Sequence, residues 1–185
     1  MDIAASAKIF PTCRIVGLAA AVTIGAFSQL DDFAFLNAGK RCRIGRFVHI
    51  ASFVSVIGGG AFSIDDFSGL SAGCRIVTGT DDYLGPFLTN PTVPAEFTNA
   101  TTSHVTIERH VIVGTNAVIL PGVTVGEGAA IGACAVVRRD VPPWGVYAGE
   151  PLRRIGTRDR VAIVTLAARL LERLAAEADR GVTEG

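Results

Sequence analysis

The chain has 185 residues, Lys plus Arg equals Asp plus Glu at 17 each, and 49% of its residues are hydrophobic. That length gives one domain with room for a sizeable core, and a neutral balance gives no support for nucleic-acid binding. No segment reads as a secretory leader or an apolar membrane span, and Cys13, Cys42, Cys74 and Cys134 are too scattered for a close metal-type pair, so a cytoplasmic protein without disulfides or metal is expected.

In chain order, Leu18, Ile24, Leu30 and Leu36 recur at every sixth position. After a two-residue slip the rhythm resumes at Ile44, Ile50 and Val56, and after another at Ile64, Leu70 and Ile76. A period of six fits neither the helical 3.6 nor a hairpin meander; it marks a parallel β-helix. The slips at 37–43 and 57–63 are expected to bulge at corners, the second through Gly58-Gly59-Gly60, because glycine takes positive φ without steric cost. Counting one coil at a time stacks Phe27, Phe47 and Phe67 at one corner and Phe33 with Phe53 at the next. Such stacks stabilise β-arrays or form subunit contacts, and a ligand platform is the rarer use. Cys74 falls four residues after Leu70 and is expected in the core as a small hydrophobe.

Between Ile76 and Ile107 the rhythm stops. A loop of this length in a compact domain is functional or disordered. Adjacent rungs hold its ends, so residues 79–104 are expected to form a protruding arm. Asp81 and Asp82 pair at its root, followed by Tyr83 and Asn90. Asp also serves ordinary turns.

From Ile107 the period is unbroken through Val113, Ile119, Val125, Ile131 and Val137, with small or branched residues four positions after each. The expected fold is all-β, with roughly five coils of about 18 residues stacked at about 4.8 Å. Residues 1–158 make this domain, and 159–179 read as an amphipathic helix belonging to it, with Val161, Val164, Leu166, Leu170, Leu171 and Leu174 broadly on one face.

The stretch Val105–Arg158, with LPGVTVGEGAAIGA, then Asp140-Val141-Pro142-Pro143, then AGEP, resembles the hexapeptide-repeat acyltransferases. The resemblance covers about residues 20–158 and is closest to the galactoside and sugar acetyltransferase branch. It implies a left-handed coil, against the usual crossover hand. It also implies a homotrimer with active sites between subunits, acetyl-CoA as co-substrate, a sugar or nucleotide-sugar acceptor, and a place in bacterial surface polysaccharide synthesis. By motif match, Thr115, Ala133, Arg138 and Arg139 lie on the pantetheine track, and Arg153 lies where the nucleotide phosphates bind, with Arg154 and Arg158 able to assist. The alternative for these arginines is a solvated cap at the helix start. Trp144 would stack on the adenine or cover the last coil.

Acetyl transfer to a hydroxyl or amine needs a base, and the chain has three histidines. The galactoside branch carries its base in the long loop after a T-G pair, but here Gly79-Thr80-Asp81-Asp82-Tyr83 holds none. His49 is the chosen base: it ends a rung at an outward corner, in a register that lines the acceptor site in that branch. Asp81 or Asp82 could orient it, accept sugar hydroxyls or bind an acceptor ammonium, with Tyr83 and Asn90 as weaker candidates for the sugar contact. His110, at a corner like that of the phenylalanines, and His104 are weaker choices. Rival readings are a γ-carbonic-anhydrase-like zinc protein, for which His104 and His110 have the wrong spacing, and a non-catalytic β-helix scaffold.

Overall fold

The structure, a computed structural model, describes residues 1–17, 21–37 and 39–182. The period of six becomes short strands joined by tight turns and wound as a left-handed parallel β-helix. One face stacks Asp2–Ile3, Val22–Ile24, Arg41–Ile44, Ala61–Ile64, His104–Ile107 and Thr124–Val125. The second stacks Lys8–Ile9, Gln29–Leu30, His49–Ile50, Gly69–Leu70, Ile112–Val113, Ala130–Ile131 and Gly145–Ala148, closed by the antiparallel Arg153–Thr157. The third stacks Arg14–Val16, Phe35–Asn37, Ser55–Ile57, Arg75–Val77, Val118–Ile119 and Val136–Val137.

This makes six complete coils and part of a seventh, more than the five expected. Ile3, Ile9 and Ile15 keep the six-residue spacing and form an additional first coil. Val141, bridged to Val125, and Gly145–Ala148 add the partial last one. The rung expected at Leu18 lies outside the described residues.

Strand residues alternate outward and inward. On the second face the inner column Leu30, Ile50, Leu70, Val113 and Ile131 is buried. Each such side chain contributes about 1.5–3 kcal/mol. Cys74 is buried among them, and burial pushes its thiol up to about 11.

The three corners differ. Where the first face turns into the second, Phe27, Phe47, Phe67, His110 and Trp144 all adopt positive φ. That conformation costs a non-glycine residue about 1–2 kcal/mol, and stacking of about 0.5–1.5 kcal/mol per pair offsets it. The rings are 4.9 Å apart from Phe27 to Phe47 and from Phe47 to Phe67, and 5.3 Å from Phe67 to His110. Phe33 and Phe53 stack at 5.2 Å on the next corner. The third corner, from face three back to face one, collects both slips and the long loop.

The antiparallel strand pairs with Gly145–Ala148 of the last coil, and one helix, Arg160–Val182, follows and runs three residues past the expected end. Asp159 caps it by accepting a hydrogen bond from the Ala162 amide at 2.9 Å. Ile163, Leu166, Ala167 and Leu170 border a cleft with Phe67 and His110, while Val161, Val164 and Leu166, expected on the apolar face, are exposed. Among the described residues no helix is long and apolar enough to cross a membrane.

Candidate active site

The long loop is rooted by main-chain pairing. Gly79–Thr80 pairs antiparallel with Thr101–Thr102, and the Ser103 amide donates to the Thr78 carbonyl at 2.7 Å. The glycines at the second slip permit this seat. A Cβ on Gly58 would lie 2.3 Å from the Gly79 nitrogen, and one on Gly60 would lie 2.2 Å from the Ser103 carbonyl oxygen. Between loop and corner lies a cavity of about 530 Å³, lined by Asn37, Gly58, Thr80, Asp81, Asn90 and Thr102 among others. Among the described residues Asp81 is the only charged one in its lining.

The structure separates the two aspartates. Asp81 faces the cavity. Asp82 is a half-buried loop staple: its Oδ1 accepts from the amides of Gly85 at 2.6 Å and Leu84 at 3.3 Å, and its Oδ2 accepts from Asn99. The Gly85 and Asn99 hydrogen bonds hold its carboxyl below the usual range. Asn90 lines the cavity while its side-chain oxygen is engaged by Thr92. Tyr83 does not line the cavity and is 86% exposed.

The three histidines have three environments. His49 stands outward on the second face, between Gln29 and Gly69 in register. Its Nε2 is 2.9 Å from Asp31 Oδ2, and Gln29 donates to the other Asp31 oxygen at 2.7 Å. Burial pushes Asp31 up, but the hydrogen bonds from Gln29 and His49 outweigh it and hold the carboxyl low. A groove of about 340 Å³ runs beside His49, walled by Phe27 and Phe47. The side-chain partner of His49 is thus Asp31 and not, within one chain, Asp81 or Asp82, which stand at the opposite corner of the prism. Sequence reasoning missed Asp31, although it sits 18 residues before His49, one nominal coil. His104 is exposed and its Nε2 lies 2.9 Å from Ser63 Oγ. His110 is buried in the aromatic stack. Among the described residues no group of three or more His, Cys, Asp or Glu is placed to hold a metal ion.

At the C-terminal end, Arg138, Arg139 and Arg154 converge on a cavity of about 440 Å³ with Tyr147, Glu150 and Leu152. Arg138 pairs with Glu150 at 3.1 Å, and Arg154 donates to the Thr157 hydroxyl at 2.9 Å. Arg153 is exposed on the adjoining strand and does not line this cavity. Thr115 and Ala133 lie in successive turns of the second corner, where the Cys134 amide donates to the Thr115 carbonyl at 2.8 Å. Trp144 is placed elsewhere, 6.2 Å from His110 with the Arg160 guanidinium 5.7 Å from its ring centre. Arg158 joins that corner too, donating to the carbonyls of His110 and Gly128.

Comparison with known proteins gives concordant results. A family model described as bacterial transferase hexapeptide (six repeats) matches residues 104–139. The chain is 37% identical over 140 residues to the dTDP-4-amino-4,6-dideoxy-D-glucose acyltransferase of Escherichia coli, covering 75% of this chain and 73% of that protein. It is similar to a variant of AntD, an N-acyltransferase from Bacillus cereus, in complex with dTDP and coenzyme A: TM-score 0.78, 31% identity, 92% of this chain and 88% of that one. A hexapeptide-repeat acetyltransferase from Vibrio cholerae O1 biovar eltor, complexed with acetyl-CoA, superposes with TM-score 0.62 at 25% identity, covering 74% of this chain and 71% of that one.

Proposed function

The chain belongs to the hexapeptide-repeat acyltransferase family, and on that premise we propose that it transfers an acetyl group from acetyl-CoA to the amine of a nucleotide-linked amino sugar. The observation that carries the choice of amine is the cavity under the loop. Its one charge among the described residues is the Asp81 carboxylate. Such a lining suits an ammonium and disfavours a diphosphate. The relatives point the same way: the E. coli protein acts on a 4-amino sugar by its name, and AntD is an N-acyltransferase crystallised with dTDP.

In this reading Asp81 holds the acceptor amine, and Asn90 and Thr80 line its surroundings. The bound ammonium first loses a proton to solvent; the neutral amine then attacks the thioester carbonyl, so a C–N bond forms and the C–S bond breaks. His49 accepts the proton that the nitrogen sheds, and the departing CoA thiolate takes up a proton to leave as the thiol. Arg138, Arg139 and Arg154 hold CoA phosphates, with Arg153 beside them, and Thr115 and Ala133 border the pantetheine arm.

His49 and the loop stand on opposite sides of one prism, so a site using both is completed between copies. A homotrimer supplies that arrangement. The arm carries exposed apolar side chains, among them Leu84, Phe87, Leu88 and Phe97, which a neighbouring copy would cover. In this reading the enzyme works in the cytoplasm and makes a precursor for surface polysaccharide. The test is product analysis by mass spectrometry and NMR after incubation with acetyl-CoA and dTDP-4-amino-4,6-dideoxyglucose. An amide product supports the reading, and transfer only to hydroxyl acceptors refutes the choice of amine.

A further inference from the structure

We infer that Asp31, clamped in turn by Gln29, is the positioning residue that fixes the tautomer and orientation of His49; this rests on the reading of His49 as the base. An exposed histidine on a strand ordinarily samples several rotamers. Here the imidazole is 53% exposed while the carboxylate that holds it is only 22% exposed. An accessible ring on a partly covered, doubly bonded carboxylate is the arrangement of an oriented base. An isolated surface pair would have one contact and contribute little.

The geometry follows from the coil. Gln29 lies directly beside His49 in register on the preceding coil. Asp31 lies two residues on from Gln29 along the same coil. Gln29 therefore reaches one carboxylate oxygen while His49 reaches the other. A carboxylate only accepts, so the neutral imidazole carries its proton on Nε2 and Nδ1 becomes the basic nitrogen. On the far side of His49 the next residue in register is Gly69. With no side chain there, the ring is uncovered toward the following coil.

The chemistry is proton transfer only. Nδ1 takes the proton of the attacking nitrogen, the imidazolium is stabilised by Asp31, and the proton is later returned to solvent or to the leaving thiolate. No proton need pass to Asp31.

The experiment compares Asp31→Asn, Gln29→Leu and His49→Ala in steady-state acetyl transfer, with ¹⁵N NMR of the His49 ring. Asp31→Asn is expected to lower kcat at least about tenfold, leave the KM for acetyl-CoA unchanged, and convert the single Nε2–H tautomer of His49 into a mixture. Gln29→Leu, which removes the clamp while leaving Asp31 charged, is expected to give a smaller loss of the same kind. If His49→Ala is inactive while Asp31→Asn turns over like the parent with an unchanged tautomer, the positioning role is overturned and the base survives. Full activity of His49→Ala overturns both.

Discussion

The indole of Trp144 occupies the space that a side chain at Gly128 would need: a Cβ built there would lie 2.3 Å from Cε3 of the ring. Gly128 is the corner residue of its coil and has φ +69°. Trp144 folds back over it to reach His110, so the stack continues across a coil that has no aromatic residue of its own. Gly128→Ala is therefore expected to cost about 2–4 kcal/mol, from overpacking and the left-handed backbone. Trp144 is the only tryptophan, so its fluorescence during urea unfolding reports the change. An unmoved midpoint would contradict this account of the corner.

His110 gives the stack a pH dependence. Burial first, then the Arg109 charge, with Arg158 adding to it against the opposing pulls of Glu127 and Asp66, holds its ring below the ordinary 6.5. The unfolded chain thus binds the proton more readily than the folded one. The stability from the neutral ring is complete above the unfolded value and is lost as pH falls toward the folded one. His110→Phe keeps a ring in the stack and removes the titration. Urea midpoints at about pH 7.5 and pH 5 should fall with pH more steeply for the parent than for the variant. Parallel behaviour would count against the assignment.

The two loop aspartates should behave differently. Asp81→Asn removes the only charge among the described residues of the cavity and is expected to raise the KM for an amino-sugar acceptor about tenfold or more, with the acetyl-CoA KM unchanged. Asp82→Ala releases the turn at Gly85, so it should loosen the loop and increase proteolytic cleavage between residues 82 and 99. Equal effects of the two changes on acceptor KM would sink the division of roles.

The arginines divide in the same way. Arg154→Ala is expected to raise the KM for acetyl-CoA about tenfold or more at constant kcat, and to flatten its salt dependence. Arg158→Ala should leave that KM alone and lower stability, because its guanidinium ties His110 and Gly128 together. Isothermal titration with CoA separates the two.

The fold was legible because one inward aliphatic per rung is a strict steric demand of a narrow prism. Ile107 to Val137 obey it without a break. The first coil escaped notice although Ile3, Ile9 and Ile15 keep the spacing and Ala7 and Cys13 keep the small position four residues on, because Ile24 follows Ile15 by nine residues and the phase is broken there. The phenylalanine corners could be counted, and His110 falls at the same corner position. Trp144 could not be placed by counting, since it reaches across Gly128 into the coil before its own. The site was legible only in pieces. His49 and Asp81 are visible as residue types in suitable places, but Asp31 becomes a partner only when the register brings adjacent coils together. Which cation joins which cavity depended on the antiparallel return of Arg153–Thr157, which no repeat encodes.

The central claim is acetyl transfer to an amino sugar, and the most direct test is free-thiol release from acetyl-CoA with and without dTDP-4-amino-4,6-dideoxyglucose. The account predicts release that depends on the acceptor, with kcat/KM on the order of 10⁴ M⁻¹s⁻¹ or higher, and a collapse of at least about a hundredfold in His49→Ala with CoA binding retained. No acceptor-dependent thiol at millimolar concentrations of both substrates would contradict it.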